Sequence, residues 1–177
     1  GSSSGIGRAT AVMFSKAGAK VTITGRNAQS LEKKILKWLK WFLLQHNPLQ
    51  VIGDITNEEF AAKLVQDTVN KFDQLDVLVN NAGSTIFDME GRKGLDIPVK
   101  NYDDIFHLNV RSIIILSQYA VPHLEKTKGA IVNISAILSL PMATTEPYYP
   151  MSKAALDQLT VQMAGTLIEK GIRVNSV

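Results

Sequence analysis

Apolar residues fall into two alternating rhythms along the chain. Short runs rich in β-branched residues recur at 20–24 (KVTIT), 49–53 (LQVIG), 75–80 (LDVLVN), 130–135 (AIVNIS) and 172–177 (IRVNSV). Such runs are strand-length. Between them the apolar positions return every three to four residues, the period of an amphipathic helix. These stretches run from Ala28 to about Leu44, from Thr56 to about Phe72, from about Tyr102 to Lys126 and from about Tyr149 to Lys170. Local signals agree with the division. Gly25 ends the first run, "HNP" at His46–Pro48 stops a helix, and Thr56 with Glu59 three residues on has the spacing of a capping box. Pro122 predicts a bend in the helix that contains it. The 75–80 run is apolar enough to be buried on both faces. Strands separated by helices predict right-handed β–α–β units and a parallel sheet with helices on both faces, an α/β fold. No repeat and no second domain interrupt residues 1–177, so the pattern predicts one domain.

Composition narrows the chemistry. The 177 residues contain no cysteine, which excludes disulfides, thiol catalysis and thiolate metal sites. The three histidines, His46, His107 and His123, lack metal-ligand spacing, and no metal is expected. Net charge is +3, from 19 basic and 16 acidic residues. The positive charges are scattered except in 32–40, a distribution that does not argue for nucleic acid and suits an anionic cofactor. No signal peptide is visible. Apolar runs such as Ile113–Leu116 fall far short of the roughly 20 residues of a membrane span, so a cytoplasmic protein is expected.

One helical stretch departs from the rest. "KKILKWLKWFLLQ" (Lys33–Gln45) sets Trp38, Trp41, Phe42 and several leucines almost all round a helix. It reads as a basic amphipathic surface at Trp38–Leu44 that meets a membrane or partner, as a helix packing its apolar face on the sheet, or as a divergent piece of sequence.

The candidate chemistry lies in short motifs at the ends of these elements. "GSSSGIG" at the start offers Gly1, Gly5 and Gly7 ahead of a helix, with Ser2, Ser3 and Ser4 as hydroxyl donors. Such a turn lets backbone amides and the helix dipole meet a pyrophosphate. The same residues also resemble a linker scar. "NNAG" (Asn80–Gly83) ends the third strand, "HLNVRS" carries Asn109 inside the long helix, "NIS" ends the fourth strand, and Tyr149-x-x-x-Lys153 opens the last helix. Taken together and in this order, the motifs resemble the classical short-chain dehydrogenase/reductase family over nearly the whole chain.

The resemblance implies a Rossmann-type, doubly wound parallel sheet, a nicotinamide cofactor, and hydride transfer between that cofactor and a carbonyl or secondary alcohol. It assigns cofactor contacts to Gly1, Ser3, Ser4, Gly5, Ile6 and Gly7 of the turn, to Asn81, Ala82 and Gly83, and to Tyr149 and Lys153. Tyr149 becomes the general acid in reduction and the general base in oxidation. Lys153, four residues on and so on the same helix face, bonds the nicotinamide ribose. Together with the positive nicotinamide it lowers the phenol pKa from its ordinary value near 10. Tyr148, the alternative phenol, lacks a lysine at that spacing. Asn109 holds a water that extends a proton relay from Lys153.

Three positions decide how far the resemblance reaches. The family's substrate-orienting serine stands about thirteen residues before the tyrosine, which here is Ala136. Either the loop differs by one residue and Ser135 supplies the hydroxyl, or the hydroxyl is missing and the chain is a non-catalytic nucleotide-binding relative; Ser139 is a remote third choice. After the first strand stands Gly25-Arg26 rather than a carboxylate, which favours NADP(H) over NAD(H), with Arg26 on the 2′-phosphate. Asp54 resembles the family's adenine-contacting aspartate and equally suits a turn before Thr56. Relatives form dimers or tetramers through the helices matching 102–126 and 149–170, so a homo-oligomer is expected. The family's glycine turn follows a central strand, and its substrate-specificity residues lie beyond the fifth. The expectation is therefore a fragment lacking its first strand and C-terminal part, folding poorly and turning over little on its own.

Overall fold

Among the described residues, five four-residue strands form where the β-branched runs lie. They are β1 (Thr22–Gly25), β2 (Leu49–Ile52), β3 (Val77–Asn80), β4 (Ala130–Asn133) and β5 (Arg173–Ser176). The computed structural model describes residues 1–31 and 46–177, and the Trp38–Leu44 surface lies outside the described residues. Helices α1 (Gly5–Lys16), α2 (Ala28–Leu31), α3 (Glu58–Phe72), α4 (Val99–Phe106), α5 (Ser112–Thr127) and α6 (Tyr148–Leu167) separate the strands. Every strand pairing is parallel, as an alternation of strand and helix requires.

The strands form two sheets rather than one. β1 pairs with β2, while β3, β4 and β5 pair in that order. The two sheets approach each other at Gly1 and Ser2. The Ser2 amide donates to the Thr24 carbonyl at 2.8 Å, and the Asn81 side-chain amide donates to the Gly1 carbonyl at 2.9 Å. A cavity of about 30 Å³ lies there, lined by Gly1, Thr24, Val79 and Asn81 among others. This arrangement corrects the expectation that the 75–80 run is buried on both faces. Val77 is 38% exposed and only Asn80 of the strand is buried; among the described residues β3 pairs with β4 alone.

Two helix starts also differ from the pattern. The N-cap of α3 is Asn57, not Thr56; its side chain accepts the Phe60 amide at 2.8 Å. Thr56 is drawn instead to Asp54, whose Oδ1 accepts both its amide at 3.0 Å and its hydroxyl at 2.8 Å. A capping side chain at that end is worth about 1 kcal/mol. The long helix begins at Val99 and is not uniformly α. A π-helical turn, His107–Arg111, joins α4 to α5, which carries Pro122 in its interior and continues to Thr127.

The main core joins Leu64 and Val65 of α3, Leu116, Ala120 and Leu124 of α5, Ile131 of β4 and Val174 of β5. Burying one such leucine or isoleucine contributes about 1.5–3 kcal/mol. A smaller cluster, Ala11, Ile23 and Leu31, holds α1 to β1. A third, Ile97, Ile105 and Tyr148, fastens the segment between β3 and α4 to the start of α6. Within each sheet the strands run parallel, and Thr24, Ile55 and Asn81, at or just after the ends of β1, β2 and β3, line one cavity. In open α/β sheets the carboxyl ends of the strands are where ligands bind.

Candidate active site

The glycine turn leads into α1 with no side-chain cap. Ser4 is the N-cap residue, its backbone extended, and its hydroxyl makes no capping bond. Gly5 has φ +52°, and a side chain added there would meet nothing within 4 Å. Gly7 is the opposite case. A Cβ would come within 2.1 Å of the Gly1 carbonyl and 2.4 Å of the Asn81 side chain. The turn is therefore closed on its inner side and open on its outer side. That is the shape needed for an anion to approach backbone amides. Of the residues expected to meet the cofactor, Gly1 and Asn81 are bonded to each other, Ser3 lies against Gly25, and Gly5 and Ile6 are exposed.

The NNAG turn reaches the catalytic candidates. A Cβ on Gly83 would lie 3.2 Å from Asn109 Oδ1 and 3.4 Å from Lys153 Nζ. Residues 83, 109 and 153, far apart in the chain, thus surround one point. Asn109 is completely buried in the π turn, and its side chain bonds two other segments of the chain. Its Oδ1 accepts the Ser84 amide at 3.0 Å, and its Nδ2 donates to the Ser84 carbonyl at 3.0 Å and to Ser152 Oγ at 2.9 Å. Ser152 in turn donates to the Tyr149 carbonyl at 2.7 Å. One amide side chain thus ties the end of β3 to the first turn of α6. π turns recur at functional sites because the extra residue re-aims a side chain.

Lys153 and Tyr149 lie on one face of α6, with Nζ 5.7 Å from the centre of the phenol ring. Lys153 is 4% exposed and donates to the Ile134 carbonyl at 2.7 Å. Burial lowers its pKa, and the charge of Asp157 one turn on opposes that shift. The Tyr149 pKa is raised by burial. Burial alone accounts for that direction, and the expected lowering rests on the nicotinamide charge beside Lys153.

Ser135 stands two residues beyond β4. Its hydroxyl oxygen is buried and has no hydrogen-bond partner. Its amide donates to the Val177 carbonyl at 2.8 Å, continuing the parallel ladder past β4. Ala136 is the extended residue just before a 3₁₀ turn, Ile137–Ser139. Arg26 is exposed just beyond β1. Asp54 closes the turn after β2, and its pKa is lowered first by the Thr56 amide, with Arg26 a lesser contributor. Among the described residues, no cluster of histidine and carboxylate side chains could hold a metal ion, and no helix is long and apolar enough to cross a membrane.

Comparison with known proteins decides the family. The profile described as enoyl-(acyl carrier protein) reductase matches residues 1–177. The chain belongs to the short-chain dehydrogenase/reductase family. It is 30% identical over 178 residues to an uncharacterized oxidoreductase of Staphylococcus aureus, covering all of this chain and 73% of that protein. It is similar to a short-chain dehydrogenase/reductase of unknown function from Caenorhabditis elegans, solved with cofactor, at TM-score 0.94 and 41% identity. It is also similar to a 7α-hydroxysteroid dehydrogenase solved with NADH and 7-oxo glycochenodeoxycholic acid, at TM-score 0.89 and 33% identity. The chain is covered by 100% and 99% in these two, and spans 66% of each. The family is one of NAD(P)-dependent oxidoreductases, and its Rossmann-type fold accounts for the parallel strands alternating with helices.

Sequence reading missed Ser84, Ser152 and the Ile134 carbonyl, which hold Asn109 and Lys153 in place. "SK" at 152–153 and the serine after "NNAG" are their only traces in the sequence, and neither says which side chain they meet.

Proposed function

We propose that this protein transfers a hydride between NADP(H) and a carbonyl or secondary alcohol, with Tyr149 as the general acid and base. The observation that carries the reading is the convergence of Gly83, Asn109 and Lys153 on one point beside Tyr149. The open outer side of the glycine turn fits a pyrophosphate, and the uncapped start of α1 supplies its amides. A nicotinamide bound at this end of the sheet supplies or accepts the hydride.

The chain's own residues do the rest. The Tyr149 hydroxyl gives its proton to the carbonyl oxygen in reduction and takes one from the alcohol in oxidation. Lys153 bonds the ribose and favours the phenolate by its charge. Ser135 donates its hydroxyl to the substrate oxygen; a buried hydroxyl without a protein partner supports that role over Ala136 and against the non-catalytic alternative. Asn109 fixes Ser84 and Ser152 and so keeps Lys153 and Tyr149 in register, with a water at Asn109 extending the proton relay. Arg26 takes the 2′-phosphate and Asp54 the adenine side. The protein assembles as a homo-oligomer through the outer faces of α5 and α6, where a groove of about 420 Å³ runs between Ile114, Val121, Leu159 and Met163.

Fluorescence titration of the chain with NADPH and NADH tests the cofactor assignment. NADPH is expected to bind more tightly, and Arg26→Asp to reverse the order. Absence of binding by either nucleotide, or an unchanged ratio in the variant, refutes it.

A further inference from the structure

Tyr148 is the buried neighbour of the proton-transferring phenol, and the chemistry above makes no use of it. Its hydroxyl donates to the Ile97 carbonyl at 2.9 Å. Its ring meets Tyr102 edge-on, 5.8 Å between centres at 79°, and packs with Ile97 and Ile105. Tyr148 and Tyr149 leave the first turn of α6 about 100° apart. One ring therefore faces the segment 84–98 while the other flanks Lys153.

That segment leaves β3 beside the catalytic point and returns to α4. It is fastened at three places. Asn109 holds Ser84, the Gly94 amide donates to the Thr145 carbonyl at 2.9 Å, and Tyr148 holds Ile97. Two of the three fasteners belong to α6 and the residues just before it. Between them Phe87, Met89 and Leu95 remain exposed. Arg92 is paired with Asp88 and Glu90 within the segment itself.

We infer that Tyr148 is a positioning residue that locks the 84–98 segment to the first turn of α6, so that the substrate-side wall and the Tyr149 phenol are held as one unit. The inference rests on the oxidoreductase reading for its catalytic consequence, but the lock itself does not. Tyr148→Phe keeps the ring and removes only the bond to Ile97. Loss of one such bond corresponds to about a five- to tenfold change in an equilibrium.

Two measurements on the full chain test it. Hydrogen exchange of the Gly94 amide is expected to rise about five- to tenfold in Tyr148→Phe, with amides in the middle of α3 unchanged. Unchanged exchange at Gly94 overturns the lock, whatever the enzyme does. With NADPH and 4-nitrobenzaldehyde, Tyr148→Phe is expected to raise the aldehyde KM about five- to tenfold and leave the NADPH KM within about twofold. An unchanged aldehyde KM, or an NADPH KM raised as much as the aldehyde KM, marks Tyr148 as merely structural and overturns the positioning role. If Gly94 exchange responds but the parent protein reduces no carbonyl, the lock stands and the oxidoreductase reading fails.

Discussion

Asn109 joins two parts of the site, and its removal has a calculable cost. Asn109→Ala deletes one accepted and two donated hydrogen bonds. Ser152 Oγ still donates to the Tyr149 carbonyl, so only its acceptor side is lost. The Ser84 amide and carbonyl lose their partner outright, but they lie near the surface and can recover water. Each then counts near the low end of the range for an orphaned group, about 1 kcal/mol. The space left where a fully buried side chain stood adds a similar amount. The sum is about 3 kcal/mol. For a domain of this size that lowers Tm by roughly 6–12 °C. Asn109→Asp keeps the bond from the Ser84 amide but turns a carboxylate toward the Ser84 carbonyl, so it should be at least as destabilising at neutral pH. Thermal melting followed by circular dichroism measures both, with Ser84 amide exchange as the local reporter. An Asn109→Asp protein melting within about 1 °C of the parent refutes the bonding scheme, because a carboxylate cannot make the two donations.

Ser135→Ala separates stability from activity. Removing a buried hydroxyl with no partner is expected to leave Tm unchanged or slightly raised, while carbonyl reduction falls about 10²–10³-fold; a loss of stability with activity intact contradicts the assignment. Lys153 gives a pH signature. Burial lowers its pKa below the ordinary 10.5, so the folded state releases that proton before the unfolded state does. The cost of burying the charge is therefore fully present at neutral pH and is relieved as pH rises toward 10.5. Relative to Lys153→Met, the parent should gain stability over that alkaline range in urea melts, and a gain on acidification instead contradicts the burial argument.

The fold was largely legible because parallel strands carry unmistakable β-branched runs. "KVTIT", "AIVNIS" and "IRVNSV" each became a strand within two residues of the expected bounds. What escaped depends on partners distant in sequence. β3 reads as a fully buried strand from "LDVLVN", yet Val77 is 38% exposed, and among the described residues β3 pairs only with β4. Thr56 has the better capping-box spacing, but Asp54 captures its amide and hydroxyl and Asn57 caps in its place. The π turn at Asn109 has no sequence signature, and neither do the contacts it makes 25 and 43 residues away. Tyr149 and Lys153 were singled out through the family resemblance, not by their spacing alone, and the direction of the Tyr149 pKa could not be read from either, since it depends on how deeply the ring is buried.

The central claim is that Tyr149 moves the proton at a nicotinamide site. Turnover of NADPH with a carbonyl probe by Tyr149→Phe, alongside nucleotide binding by fluorescence, tests it most directly. The account predicts nucleotide affinity within a few-fold of the parent and turnover reduced about 10²–10⁴-fold. Full turnover in the variant contradicts it.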